Sequence, residues 1–200
     1  PVDMVVCATG FAAMTGSFDK MDIRGRNSQR LSEKWAGGPA TYLGVSTVGF
    51  PNLFMVTGPG SPSVLANMIQ SIEQHVDWMV DCMSHMRDIG ASVIEAEPEY
   101  EKDWVAHVNE VAAISLRSTC SSWYVGANIP GRPRVFMPYI GGFPIYVNKC
   151  NEVMTGGFEG FTTDAVASNA QPTVRLTQRW RVPLDMDVIS PAAIAAMKVP

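Results

Sequence analysis

The sequence is short of charge: Asp, Glu, Lys and Arg make up 17% of 200 residues. A chain that stays disordered by solvating itself carries more charge and less apolar content than the 46% found here. Basic residues are not in excess, since 15 Lys and Arg face 19 Asp and Glu. The resulting formal net charge of -4 argues against a general nucleic-acid binder. No apolar run approaches the roughly 20 residues that cross a bilayer, so no membrane span is expected. No basic start followed by an apolar core reads as a signal peptide. Cysteine is sparse: Cys7, Cys82, Cys120 and Cys150 form no C-x-x-C pair. Neither a zinc site nor a disulfide framework is expected, and reduced thiols fit a cytoplasmic protein. His75, His85 and His107 lie on predicted helices without a partner at metal spacing, which assigns them surface or structural roles. There is no Ser/His/Asp set and no G-x-S-x-G elbow. An initiating Met is also missing: the chain opens on Pro1 and enters an apolar run at once, the expectation for a fragment.

What is present reads as α/β. Residues 2–8, 42–48 and 53–57 are short, apolar and largely β-branched or aromatic, which predicts strands, and residues 92–96 predict a short strand or an extended link. Residues 31–36 predict a short helix stopped by Gly37-Gly38-Pro39. The strongest helix pattern runs from Val64 to about Ile89, ended by Gly90. In it Leu65, Met68, Ile69, Ile72, Val76, Met79, Val80 and Met83 fall at steps of three and four, which predicts one apolar stripe turned to the core. Ser61 or Ser63 is the expected cap. Glu97-Pro98-Glu99 opens a second helix through Trp104 towards Leu116, and residues 145–154 predict a third. Residues 135–137 are strand-like. From residue 162 the chain is small and polar, a linker or tail, with a possible helix at 191–197.

The focus of the chain is the turn Gly58-Pro59-Gly60-Ser61-Pro62-Ser63, set between a predicted strand and the long helix. Gly58-x-Gly60-x-x-Ser63 imitates a dinucleotide-binding fingerprint. Two prolines remove donors, Ser63 stands at the third glycine, and no clean βαβ unit follows. Three readings stay open: a phosphate cradle, a capped turn in the core, or a rigid helix start presented to another part of a cofactor. Trp123-Tyr124, in a Gly/Ser/Asn setting, reads as aromatic surface available to a ligand. Arg132 and Arg134 read as surface residues, with a phosphate role as the alternative.

These residues resemble a known family. Val5-Val6-Cys7-Ala8-Thr9-Gly10-Phe11, Asp22-Ile23-Arg24-Gly25, Gly49-Phe50-Pro51-Asn52, the turn 58–63, Ser71-Ile72-Glu73-Gln74-His75-Val76, Trp104 to Glu110, Ser122-Trp123-Tyr124 and Tyr139-Ile140-Gly141-Gly142 look like the carboxyl-terminal half of a Baeyer–Villiger monooxygenase of the phenylacetone and cyclohexanone type. The resemblance covers residues 1–161 in order; residues 162–200 read as a linker or tail. Residues 181–200 faintly resemble the start of an esterase-like chain, which would make a fusion junction.

The resemblance implies an α/β fold, the carboxyl-terminal part of a Rossmann-like FAD-binding domain with long helices and a loop-rich end. It implies FAD and NADPH as cofactors, O2 and a ketone as substrates, and a C4a-peroxyflavin that turns the ketone into an ester or lactone. Oxidation of sulfides or amines, or a non-catalytic fragment, is the alternative. Thr9, Gly10 and Phe11 would approach FAD; Ser63, Val64, Leu65 and Met68 would line the substrate side, Met68 also touching the flavin; Trp123 would belong to a mobile loop over NADP. The helix start would favour negative charge on the reduced flavin. The catalytic residues and the pyrophosphate fingerprint are expected upstream, in a missing amino-terminal half that is the implied partner. Ala12, Arg117-Ser118 and Val147 depart from the family pattern.

Overall fold

The computed structural model describes residues 2–7, 12–63 and 66–165. Among the described residues five α-helices form, α1 (Gly16–Asp19), α2 (Leu31–Lys34), α3 (Met68–Asp88), α4 (Pro98–Ala113) and α5 (Phe143–Thr155). Strands β1 (Ile94–Ala96) and β2 (Phe161–Thr163) pair antiparallel, with Glu95 opposite Thr162. From residue 38 to residue 63 the chain runs through largely buried turns rather than helix or sheet.

The helix boundaries have local causes. Pro98 and Pro144 sit in the first turns of α4 and α5, where a missing N–H costs nothing. Asn67 caps α3, its Oδ1 accepting from Ile69 N–H at 3.1 Å and Gln70 N–H at 3.4 Å. Neither Ser61 nor Ser63 is the cap, so α3 begins several residues later than expected. Gly90, at φ 71°, takes the left-handed conformation that stops it. The short helix expected at 31–36 is α2, continued by a 3₁₀ turn over Trp35–Gly37.

Several expected strands are not strands. Met55 N–H reaches Val45 O at 2.8 Å, but residues 53–57 join no ladder, and Asn52 just before them and Thr57 at their end hold positive φ. Residues 42–48 close a tight turn in which Tyr42 N–H bonds Ser46 O, with Leu43 and Gly44 left-handed. Residues 2–7 carry no strand, nor do 135–137. Apolar runs of this length mark burial equally well for a strand and for a buried turn.

The main core brings α3, α4 and α5 together around Trp78, Cys82, Trp104, Val108, Tyr146 and Val153. A second cluster joins Leu31, Trp35, Phe50 and Met55. The stripe expected to face this core is the other way round. Ser71, Gln74, His75, Trp78, Met79, Cys82, His85 and Met86 are the buried face of α3. Of the described members of the expected set only Met79 is inside; Ile69, Ile72, Val76, Val80 and Met83 face solvent, and Leu65 lies outside the described residues. Some of the polar groups on this face have specific partners: Ser71 Oγ–H donates to Asn67 O at 3.2 Å and Trp78 Nε1–H to Cys150 O at 3.1 Å. Apolarity alone did not rank the two faces.

The fold continues past residue 161. β2 includes Thr162 and Thr163, and Asp164 accepts from the N–H groups of Ser92 and Val93 at 2.8 Å each. Most of the expected tail, including the possible helix at 191–197, lies outside the described residues.

Candidate functional site

The turn at 58–63 is tied down almost atom by atom. Gly60 N–H donates to Met137 O at 2.6 Å, and Tyr139 N–H donates to Ser61 O at 2.9 Å. Ser61 N–H and Oγ–H both donate to Gly58 O, at 3.1 and 2.7 Å. Thr41 Oγ1–H reaches Pro59 O, and Trp104 Nε1–H reaches Gly60 O at 3.0 Å. Pro59 and Pro62 have no N–H, and those of Gly60 and Ser61 point inward. That spends the Gly60 and Ser61 donors within the protein, and the turn is a packed platform.

Gly60 shows how tight the platform is. At φ 86°, a Cβ there would lie 2.8 Å from Thr41 Oγ1 and 3.3 Å from Trp104 Nε1. Gly60→Ala is expected to cost about 2 kcal/mol or more, combining left-handed strain with the clash. Gly90→Ala has the same handedness but nothing within 4 Å. Urea unfolding of the two variants should therefore separate them, with Gly60→Ala the less stable.

His75 anchors the turn from below. Thr57 N–H donates to its Nδ1 at 2.8 Å, so that nitrogen carries no proton. The ring proton is then on Nε2 and is donated to Tyr146 Oη, 2.7 Å away. Tyr146 Oη–H in turn donates to Leu43 O at 2.6 Å. This chain of bonds links α3, α5 and both buried turns. Burial pushes the His75 pKa down to about 4 and raises that of Tyr146 well above a free phenol. His75 is thus a neutral structural group, as expected of it.

Trp104 and Tyr139 stack at 5.3 Å between ring centres. Both also line a cleft of about 560 Å³ with Tyr100, Asp103, His107 and Lys149. Cys82 and Cys150 are unbridged and buried, their thiols pushed up to about 12 by desolvation, so neither is a nucleophile at neutral pH. Among the described residues no cluster of metal-binding side chains occurs. No described helix is long and apolar enough to cross a membrane.

The residues singled out from the sequence divide as follows. Thr9, Gly10, Phe11, Val64 and Leu65 lie outside the described residues. Ser63 ends the turn, buried, its Oγ without a hydrogen-bond partner among the described residues. Met68 is the first residue of α3 and is 40% exposed. Trp123 stacks on Tyr124 with 4.4 Å between ring centres, in a 3₁₀ turn. Met137 connects the two regions: its N–H bonds Tyr124 O while its own carbonyl accepts from Gly60. Arg132 pairs with Asp19 and bonds Thr15, and Arg134 reaches Ser121, so both have protein partners. Val147, one of the departures, is fully buried in the core. Sequence reasoning missed the linkage of His75 to Tyr146 and the grip of Trp104 on Gly60. These pairs are 71 and 44 positions apart, and no local pattern marks them.

No family model matches the chain. Individual proteins do. It is 38% identical over 161 residues to the acetone monooxygenase (methyl acetate-forming) of Gordonia sp. strain TY-5, covering 80% of this chain and 30% of that one. It is 41% identical over 160 residues to phenazine N-monooxygenase PhzNO1 of Lysobacter antibioticus, covering 80% and 29%. Among solved structures, cyclohexanone monooxygenase from Rhodococcus sp. Phi1 bound to NADP+ superimposes with a TM-score of 0.76 at 36% identity, over 80% of this chain and 30% of that one. The OTEMO complex with FAD and NADP gives a TM-score of 0.70 at 34% identity, over 78% and 28%. The chain therefore spans about three tenths of the length of the relatives it matches. Over the matched residues sequence and fold agree, and this chain is similar there to a segment of the Baeyer–Villiger monooxygenases of the cyclohexanone monooxygenase type.

Proposed function

We propose that this chain is part of an FAD- and NADPH-dependent monooxygenase that inserts one oxygen atom of O2 next to a ketone, giving an ester or lactone. The observation that carries the reading is the ordered match, in sequence and in fold, to ketone-oxidising relatives over four fifths of the chain. FAD, when bound, supplies the activation of O2, and NADPH supplies the reducing equivalents. The chain's own part is to hold a rigid floor. Ser63 fits that role, because its buried hydroxyl has no partner among the described residues and a bound group would satisfy it. Thr9, Gly10, Phe11 and Met68 are the proposed contacts to FAD, Trp123 to NADP, and Ser63, Val64, Leu65 and Met68 to the substrate. The expected pull of the helix start on negative charge has less support, since Asn67 already binds two first-turn N–H groups of α3. The missing amino-terminal half of the enzyme is the proposed partner, and the cytoplasm the proposed compartment.

Oxidation at a heteroatom is the second reading, favoured by the 41% identity to a phenazine N-monooxygenase. A chimera decides between them: the matched segment of the Gordonia acetone monooxygenase is replaced by that of this chain. Retained FAD and NADPH-dependent conversion of acetone to methyl acetate is expected. A chimera that holds FAD but oxidises a phenazine and no ketone would reverse the assignment. By itself the 200-residue chain should neither bind FAD stoichiometrically in a titration nor turn over.

A further inference from the structure

The cleft of about 560 Å³ between α4 and α5 takes no part in the function proposed above. Its size falls within the roughly 300–1,000 Å³ of small-molecule sites. Of the described residues proposed to meet FAD, NADP or substrate, namely Ser63, Met68 and Trp123, none lines it. On α4, Tyr100, Asp103, Trp104 and His107 follow at helical spacing and share one face. Ile145, Lys149 and Glu152 line the cleft from α5 with the same periodicity. Tyr42 and Tyr139 add two more rings. The Trp104 ring stacks on Tyr139 at 5.3 Å and lies 5.5 Å from His107, while Tyr42 lies 5.7 Å from Tyr100.

The charge along this aromatic wall is negative. Asp103 and Glu152 set two carboxylates against the one ammonium of Lys149, and Lys149 already pairs with Glu152 at 3.4 Å. No ion pair to Asp103 is found among the described residues. His107 adds no positive charge at neutral pH, because burial lowers its pKa. A third carboxylate stands behind the rings: Glu159 accepts from Tyr100 Oη–H at 3.0 Å, and its backbone carbonyl accepts from Tyr42 Oη–H at 3.1 Å. A phenol that donates to a carboxylate carries a more electron-rich ring. That bond, then burial, then the charges of Glu159, Glu97 and Asp103 raise the Tyr100 phenol above its usual range. Electron-rich ring faces with carboxylates at the rim recognise an organic cation. We propose that the cleft between α4 and α5 binds a small organic ammonium ion carrying an aromatic group, with Tyr100 and Trp104 facing the cation and Asp103 balancing its charge. An anion held by Lys149 fits less well, since Glu152 already occupies that ammonium and Asp103 would repel it.

Benzyltrimethylammonium is the probe, with benzyl alcohol and benzoate as its neutral and anionic counterparts. Calorimetric titration of the 200-residue chain at pH 7 is expected to show the cation bound about ten-fold tighter than either counterpart. The indole N–H resonance of Trp104 should shift as the site fills. Asp103→Asn is expected to weaken binding of the cation about five-fold, and Lys149→Met to strengthen it. Asp103 is exposed and the Lys149 side chain is 44% exposed, so neither change should move the midpoint of urea unfolding. Tyr100→Phe, which keeps the ring and loses the bond to Glu159, should bind the cation more weakly than the native chain and more tightly than Tyr100→Leu. Equal affinity for the three probes overturns the proposal. So does binding of benzoate that Lys149→Met weakens, because the site then takes an anion. The chimera with the Gordonia acetone monooxygenase is expected to bind the cation as the 200-residue chain does; loss of binding there overturns the site, because the rest of the enzyme then fills the cleft. A chimera that binds the cation and oxidises no ketone supports the cleft and counts only against the functional reading.

Discussion

Stability of the chain will fall as the pH is lowered from about 6.5 to about 4, and His75 will account for the largest share. Its folded pKa is about 4 because the ring is buried and its Nδ1 is already an acceptor for Thr57 N–H. The unfolded chain takes up that proton near pH 6.5. Between the two values the unfolded state binds more protons, so stability rises with pH across this window. The contribution is fully present above about 6.5 and lost as the pH approaches 4. At pH 4.5 the loss relative to pH 7 is about 2 kcal/mol from this one ring. His85 and His107 are also lowered by burial and add in the same direction. The comparison must therefore be with His75→Gln, which can accept from Thr57 and donate to Tyr146 but cannot titrate. Urea unfolding followed by tryptophan fluorescence between pH 4.5 and 7 should show a shallower pH slope in the variant. Equal slopes would mean that His75 is not the neutral keystone its hydrogen bonds describe.

His75 also explains why the turn at 58–63 keeps its shape. Thr57 precedes the turn with φ 52°, a left-handed conformation costly for a β-branched residue, and its N–H is the one His75 holds. Strain of this kind persists only where neighbours enforce it. Here the neighbours are an imidazole from α3 and a phenol from α5, which couple the floor of the proposed flavin and substrate site to the helical core.

The legible and illegible parts of the fold differ in a physical way. Helix ends were legible where one residue type decides them: Pro98 at the start of α4, Gly90 at the end of α3, Pro144 and Gly156 at the two ends of α5. The start of α3 was not, because Ser61 and Ser63 satisfied the capping pattern as well as Asn67 did, and both serines are buried in the turn instead. The direction α3 faces was not legible either. Both its faces are apolar, and the one facing the local core includes His75, Gln74 and Ser71, which periodicity scores as polar. In the site, the stiffness of the turn could be read from Pro59 and Pro62, and the poor fit to a fingerprint from Ser63. That Gly60 would be gripped by Trp104 and Met137 could not, since those contacts span 44 and 77 positions.

The largest single loss of stability is expected from the buried ion pair that sets the position of α4. Lys34 Nζ lies 2.9 and 3.0 Å from the two carboxylate oxygens of Glu101 and also donates to Thr47 Oγ1 and Val48 O. Glu101 Oε1 accepts from Val48 N–H at 2.8 Å and lies 2.9 Å from Thr47 Oγ1. The two side chains are 15% and 11% exposed, so solvent screens the pair little. Glu101→Ala strands an ammonium and a backbone N–H, and a cost of about 3–5 kcal/mol follows. Lys34→Met alone should cost less, because the carboxylate keeps Val48 N–H and Thr47. The double replacement Lys34→Met/Glu101→Leu should recover much of the loss, since a buried pair gains little over well-packed apolar groups. Glu101 stands one turn before Trp104 on α4. Glu101→Ala should therefore also loosen the Trp104 Nε1–H bond to Gly60, raising hydrogen exchange at the indole and at Gly60 together. A loss of stability with exchange at those two positions unchanged would confine the ion pair to α4 and separate it from the platform.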